Sequence, residues 1–143
     1  MERSLVLVKP DGVERGLSGE IIARLEKLGL KVVGLKMLHA DKALAQRHYA
    51  VHKEKSFFKN LVDYITSGPI VAVVFEGERA VEVIRKAMGA TDPAKSEKGT
   101  IRGDFGLSLE HNTVHGSDAV ETAKIEIVLF FSDKEIFDYK RVG

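Results

Sequence analysis

Four short apolar stretches, each bounded by turn residues, predict β-strands along the chain. The first covers residues 4–9 and stops at Pro10-Asp11-Gly12, where we expect a tight loop because proline fixes φ and glycine accepts positive φ. The second covers residues 31–39. Residues 70–75 form a nearly continuous valine-rich run, which is typical of a central strand covered on both faces. A short fourth strand is expected at residues 113–115.

Between these strands, apolar residues recur at three- and four-residue spacing, which predicts amphipathic helices. One predicted helix covers residues 19–28, with Ser18 as its cap and Gly29 as its stop. Residues 90–114 show no sustained periodicity, and a loop of that length within a compact domain is usually functional. The other predicted helices cover residues 43–51, 57–65, 80–88 and 119–131.

The order of these elements predicts the fold class. Strand, helix, strand, two helices, strand, helix, short strand and helix is the order expected of an α+β sandwich of the ferredoxin-like type. Such a fold has a four-stranded antiparallel sheet with helices packed on it. No internal repeat or linker interrupts the pattern, so we expect a single domain over residues 1–143.

Composition narrows the possible functions. Apolar residues make up 44% of the chain and charged residues 30%, which is typical of a globular protein. The 22 lysines and arginines nearly balance the 21 acidic residues, so no dedicated nucleic-acid site and no membrane binding are expected. The chain has no cysteine, which excludes thiol chemistry. No apolar run is long enough to span a bilayer or to serve as a signal peptide, so we expect a cytoplasmic protein.

The block Asn112-Thr113-Val114-His115-Gly116-Ser117-Asp118 concentrates polar chemistry just before the last predicted helix. A neutral imidazole such as that of His115 is a competent nucleophile near pH 7 if a hydrogen bond orients its ring. Glu126, on the helix that follows, is placed to make that bond. Ser117 and Asp118 are expected to cap this helix at its start. The alternative is an ordinary helix cap beside an exposed histidine.

Four other residues are candidates for binding a phosphorylated ligand. Arg85, Thr91 and Arg102 surround the irregular segment, and a guanidinium can bind two phosphate oxygens at once. Lys9 ends a strand at a turn, where sheets often present catalytic groups. The alternative for each is an ordinary surface or strand-end charge.

Several weaker signals do not indicate a function. His48 and His52 have the spacing of helical metal ligands, but no third ligand is evident, so we expect surface or cleft residues and no protein-held metal. Asp104-Phe105-Gly106 copies a protein-kinase triplet without the other kinase motifs. No Gly-x-x-x-x-Gly-Lys-Ser/Thr loop is present.

Taken together, five ordered motifs resemble the nucleoside diphosphate kinase family, and they span nearly the whole chain. The block that contains His115 is the most diagnostic of them. Departures from the family pattern are few and fall on Ser18, Ser56 and Thr113. The five motifs are Val8-Lys9-Pro10-Asp11-Gly12, His48-Tyr49 with Phe57-Phe58, Ser67-Gly68-Pro69, Gly99-Thr100-Ile101-Arg102-Gly103-Asp104-Phe105 and Asn112-x-x-His115-Gly116-Ser117-Asp118.

The resemblance implies a role for each candidate. It implies that His115 is phosphorylated during transfer of the γ-phosphoryl group from a nucleoside triphosphate to a diphosphate, by a ping-pong mechanism. By the same resemblance, Glu126 and Ser117 support the histidine, and Tyr49 lies beside the transferring phosphate.

The resemblance also implies the contacts with the nucleotide. Lys9 and Asn112 contact the sugar hydroxyls, and the phosphates are held by Arg85, Thr91 and Arg102. Phe57 stacks on the base, with Leu109 as a possible second partner.

The resemblance also implies substrates, a cofactor and an assembly. Stacking without hydrogen bonds to the base edge accepts any base, so broad specificity for nucleoside di- and triphosphates is expected. Mg²⁺ would be delivered with the nucleotide rather than by a protein site. A homo-oligomer is implied, with the hexamer favoured over the tetramer. A single-stranded nucleic-acid-binding module and a family relative without activity were the rival hypotheses.

Overall fold

The computed structural model describes residues 1–142, so Gly143, the last residue of the expected domain, lies outside it. Within the described residues, eleven strands and α-helices follow one another with short 3₁₀ turns between some of them. They are, in order, β1 (Glu2–Val8), α1 (Pro10–Glu14), α2 (Ser18–Glu26), β2 (Lys31–Leu38), α3 (Lys42–His48), α4 (Phe58–Ile65), β3 (Ile70–Gly77), α5 (Ala80–Met88), α6 (Ile101–Phe105), β4 (Val114–Gly116) and α7 (Val120–Phe130), of which four are strands and seven are helices.

The four strands form one antiparallel sheet in the order β2-β3-β1-β4. This confirms the predicted ferredoxin-like α+β sandwich. β3 lies inside the sheet, as its apolar run predicted, and residues 70–75 are all buried. β4 lies at one edge and pairs with β1 through only three residues, among them His115 opposite Leu7.

Alternating side chains of the central strands divide the core into two layers, because successive residues of a strand point to opposite faces. Leu5 and Leu7 of β1 face the layer that contains the buried side chains of α3, α4 and α7. Val6 and Val8 face the layer that contains those of α2 and α5. Helices thus cover both faces of the sheet. Within residues 1–142, no helix is long and apolar enough to cross a membrane.

Several local predictions were wrong at the helix ends. Residues 10–12 do not form a loop but begin helix α1, with Pro10 at its first turn. Ser18 is the first residue of α2 rather than its cap, and Leu17 precedes the helix without a side-chain hydrogen bond. Neither Ser117 nor Asp118 caps α7, which is preceded by Ala119.

The loop predicted at residues 90–114 is not wholly irregular. It contains a 3₁₀ turn, Pro93–Lys95, and the five-residue helix α6. The Thr100 side chain accepts a hydrogen bond from the Gly103 amide and so caps α6. A helix of five residues is too short to show a hydrophobic period, which explains why the pattern missed it.

Candidate active site

His115 lies on the edge strand β4 with its ring directed towards helix α7. Its Nε2 atom is 3.1 Å from both carboxylate oxygens of Glu126. A carboxylate only accepts hydrogen bonds, so Nε2 carries the ring proton and donates it, and the lone pair of the neutral imidazole remains on Nδ1. The structure therefore leaves Nδ1 of His115 as the ring nitrogen with a free lone pair.

Two further contacts hold the Glu126 carboxylate in place. The Ser117 hydroxyl donates a 2.6 Å hydrogen bond to Oε1 of Glu126 and lies 3.4 Å from the Leu5 amide, from which it accepts. Burial raises the pKa of Glu126, but the hydrogen bonds from His115 and Ser117 outweigh it and leave the pKa below its usual value. Glu126 is therefore charged at neutral pH. Ser117, expected as a cap, instead supports Glu126.

His48 packs directly against His115, which the sequence interpretation did not foresee. The two rings meet edge to face with their centroids 4.7 Å apart, and Nδ1 of His48 is 3.5 Å from Oε2 of Glu126. Burial, aided by the nearby His115, lowers the pKa of His48 to about 3. His48 is therefore a buried neutral imidazole and not a surface residue. Ala45, His48 and Tyr49 share one buried helix face, a spacing that would have indicated its burial.

The Tyr49 ring contacts His48, with the two ring centroids 4.6 Å apart. Burial raises the pKa of Tyr49 well above its usual value. Its hydroxyl therefore stays protonated over the physiological range and can donate a hydrogen bond. The expected position of Tyr49 beside a transferring phosphate stays a prediction, and the structure places its ring against His48.

Lys9 and Asn112 form a buried polar pair at the end of β1. The Lys9 ammonium donates a 2.9 Å hydrogen bond to Oδ1 of Asn112, whose amide group donates to the carbonyl of Thr91 at 3.0 Å. Burial lowers the pKa of Lys9 to about 8, and the positive charge of Arg102 acts in the same direction. This chain of bonds connects three of the predicted site residues.

Arg102 is a buried cation. Its guanidinium donates to the carbonyls of Val114 at 2.7 Å and Gly89 at 3.3 Å. Within residues 1–142, no carboxylate lies within 4 Å of it. Burial, with a smaller contribution from Arg85, lowers the pKa of Arg102 to about 10, so the group stays charged. A buried cation without a carboxylate partner is suited to receive an anion.

Arg85 and Thr91 line a cavity of about 720 Å³ together with Arg102. The Arg85 guanidinium reaches the Asp118 carbonyl at 3.3 Å, three residues beyond His115. The structure thus brings the three predicted phosphate ligands to one cavity.

A sequence model of the nucleoside diphosphate kinase family matches residues 2–136. The chain belongs to the nucleoside diphosphate kinase family. It is 70% identical over 141 residues to the nucleoside diphosphate kinase of Dehalococcoides mccartyi strain 195, covering 99% of each chain, and 57% identical to that of Archaeoglobus fulgidus, covering 99% of this chain and 93% of the relative. The predicted resemblance is confirmed, and the protein is an enzyme of this family.

Solved structures agree with that assignment. A nucleoside diphosphate kinase of Halobacterium salinarum in complex with CDP superposes with a TM-score of 0.96 at 52% identity, covering 98% of this chain and 93% of the other. A nucleoside diphosphate kinase family protein of Babesia bovis gives a TM-score of 0.95 at 43% identity, covering 99% of this chain and 95% of the other.

Phe57, the residue that the family resemblance assigns to base stacking, lies directly before helix α4 and is 44% exposed. Its ring centroid is 5.3 Å from that of His52. Leu109 is also exposed, on the segment between α6 and β4. Both side chains are therefore accessible to a ligand, as a stacking role requires.

Thr113 adopts a left-handed backbone conformation, with φ of 76°, which is unfavourable for a β-branched residue. Its hydroxyl donates a 2.8 Å hydrogen bond to Asp11, whose carboxylate also accepts from the Tyr64 hydroxyl. Asp11 and Tyr64 were not predicted as site residues. Through Thr113 they fix the backbone next to Asn112.

Proposed function

We propose that the enzyme transfers the γ-phosphoryl group of a nucleoside triphosphate to a nucleoside diphosphate through a covalent phosphohistidine at His115. The supporting observation is the double contact between Nε2 of His115 and the Glu126 carboxylate, which leaves the Nδ1 lone pair free to react. In the first half-reaction Nδ1 forms a bond to the γ-phosphorus, and the bond from phosphorus to the bridging oxygen breaks. The electron pair leaves with the diphosphate.

The second half-reaction reverses these bond changes with a different nucleotide. The terminal oxygen of the acceptor diphosphate attacks phosphorus, the N–P bond breaks, and its electron pair returns to Nδ1. The ring proton stays on Nε2 throughout, where Glu126 stabilises the positive charge that the phosphorylated ring carries. A single site serves both steps, so ping-pong kinetics follow.

The cations around the cavity provide most of the rate enhancement in this mechanism, because phosphoryl transfer requires positioning and charge neutralisation rather than proton transfer. Arg85, Thr91 and Arg102 hold the phosphate oxygens, supported by their position around one cavity. Lys9 and Asn112 bind the sugar hydroxyls. Tyr49 lies beside the transferring phosphate, supported by its contact with His48, which packs against His115.

Broad base specificity is part of the proposal. An exposed aromatic ring such as Phe57 stacks on any base, and stacking does not distinguish base edges. Leu109 is the candidate for the opposite face of the base. The Halobacterium salinarum relative was solved with CDP, which supports a nucleoside diphosphate as ligand of this chain.

The residues around the cavity fit a magnesium ion that is held by the nucleotide rather than by the protein. The only three-residue group of potential metal ligands that the structure describes within residues 1–142 contains two histidines, whereas Mg²⁺ prefers oxygen. A nucleotide-borne Mg²⁺ would neutralise phosphate charge at the site. Arg85 and Arg102 would bind the oxygens that it leaves free.

We further propose that one domain over residues 1–143 acts within a homo-oligomer, with the hexamer favoured over the tetramer. The exposed apolar side chains Leu35 and Met37 on the edge strand β2 support association between copies. A cytoplasmic location belongs to the same proposal and is supported by the sequence pattern alone.

Incubation with γ-labelled ATP tests the covalent step. The wild type should yield one acid-labile, base-stable phosphoryl group per chain, and His115→Ala should yield none. His111→Ala removes an exposed histidine four residues away and should label like the wild type. Equal labelling of His115→Ala and the wild type would refute the proposal.

A further inference from the structure

The proposed reaction does not use the ring nitrogens of His48. The side chain is 1% exposed, and neither ring nitrogen has a hydrogen-bond partner within residues 1–142. Buried polar groups without partners are rare in folded proteins because each costs free energy. Two such nitrogens on one ring, in contact with the catalytic histidine, suggest that the ring has a ligand.

The surrounding donors are arranged as a metal would require. One ligand atom from each of His48, His115 and Glu126 lies within 4.8 Å of the other two. Two of the three separations are shorter, at 3.5 Å between His48 and Glu126 and 3.1 Å between His115 and Glu126. Ligands about 2.0–2.2 Å from a tetrahedral zinc ion lie roughly 3.3–3.6 Å apart. The Glu126 separations are already close to this, and the two ring nitrogens, within 4.8 Å of each other, would need to approach by up to about 1.5 Å.

We propose that His48, His115 and Glu126 form a binding site for a zinc-class divalent transition metal ion. Two imidazoles and one carboxylate are a ligand set that zinc accepts, with the fourth position left to water. Magnesium does not compete, since it prefers six oxygen ligands. Access is possible from the side of His115, whose side chain is 22% exposed.

Metal binding has a consequence for the nucleophile, and this part rests on the proposed function. The metal takes the lone pair of a ring nitrogen, so Nε2 of His115 must first lose its proton. In a neutral ring that proton moves to Nδ1, which then has no lone pair for the phosphorus. The same ion also separates Glu126 from the ring. An occupied metal site therefore excludes phosphorylation, and the ion acts as an inhibitor.

Titration of the EDTA-treated enzyme with Zn²⁺ by calorimetry, without nucleotide or magnesium, tests the site independently of turnover. We expect one ion per chain, and Co²⁺ should give the visible absorption of a tetrahedral complex. Loss of a partner of a metal ligand costs 10- to 100-fold in affinity, so His48→Gln, which removes a ligand, should cost about a hundredfold or more. His52→Gln, the matched control four residues away, should bind like the wild type.

Two further measurements extend the test, and the first keeps it decisive if His48→Gln unfolds. His115→Gln changes a half-buried ring and should lose the ion as well, with circular dichroism showing that each variant is folded. In the exchange assay with excess Mg²⁺, Zn²⁺ should abolish wild-type turnover. The turnover of His48→Gln should stay at the rate that this variant shows without Zn²⁺.

Absence of a Co²⁺ band, or equal Zn²⁺ affinity in folded His48→Gln and the wild type, would overturn the site. Stoichiometric binding without inhibition would overturn the proton-transfer argument. Neither result would touch the phosphohistidine, because the labelling of His115 is measured separately.

Discussion

The substitution Glu126→Gln tests whether charge on this residue orients and stabilises the reacting histidine. It keeps the side-chain size and one oxygen that accepts from Nε2 of His115, but it removes the negative charge. Hydrogen bonds to charged groups contribute about 1.5–3 kcal/mol and neutral ones about 0.5–1.5 kcal/mol. The substitution should therefore remove about 1–2 kcal/mol of the stabilisation that Glu126 gives to the reacting histidine. At about 1.4 kcal/mol per factor of ten, the phosphorylation rate should fall about 5- to 30-fold.

Rapid-quench measurement of a single turnover with γ-labelled ATP gives that rate constant directly. Glu121→Gln is the matched control, because it makes the same change on an exposed position of the same helix. Because Glu126 stays charged above neutral pH, the deficit should persist at pH 8. A rate constant within twofold of the wild type, in a variant of unchanged thermal stability, would refute the orienting role.

Three other predictions concern residues proposed to bind the nucleotide. The pKa of Lys9, about 8, lies below its usual 10.5. Below pH 8 the folded state buries a charged Lys9, which lowers the free energy of unfolding. Above pH 8 the folded lysine loses its proton, and this penalty becomes smaller. The wild type should therefore gain about 1 kcal/mol in unfolding free energy relative to Lys9→Met between pH 7 and pH 9, measured by denaturant titration. Arg102→Lys should lower the single-turnover rate about 10- to 100-fold, because an ammonium cannot make the bidentate contact. Phe57→Ala should weaken nucleotide affinity by about 1–3 kcal/mol in calorimetry and spare the saturated rate.

Each of these predictions has a contrary outcome. A parallel pH response of Lys9→Met and the wild type would show that the buried lysine is not desolvated. An unchanged rate in Arg102→Lys would mean that positive charge alone suffices. Nucleotide affinity unaffected by Phe57→Ala would remove the stacking role and with it the physical reason for broad specificity.

The strands and the larger helices were predictable because their side chains repeat with a regular period. The buried run at residues 70–75 indicated an interior strand, and β3 is one. Helix ends were less predictable, since a serine near a helix start can cap it or bond elsewhere. Ser117 was expected to cap α7, but its hydroxyl bonds to the Glu126 side chain in the middle of that helix and to the Leu5 amide of β1. That choice depends on tertiary contacts that no local pattern contains.

The candidate site shows the same division between local and tertiary information. His115, Arg102 and the other motif residues were identified from ordered motifs, and the structure brings Arg85, Thr91 and Arg102 to one cavity and holds Glu126, with Ser117, against His115. His48 was dismissed because a helical pair of histidines lacked a third ligand in sequence. The missing partners, His115 and Glu126, lie more than 60 residues away and meet His48 only in the folded chain. Asp11 and Tyr64 were missed for the same reason.

The carbonyl contacts of Arg102 have a consequence for thermal behaviour. A cation that is removed from water and held only by peptide dipoles raises the free energy of the folded state. A phosphate-bearing ligand supplies the opposite charge, so binding removes this penalty in addition to adding its own contacts. Heat resistance of the protein should therefore follow the nucleotide concentration, and a pool depleted of nucleotides would leave the enzyme more vulnerable to unfolding.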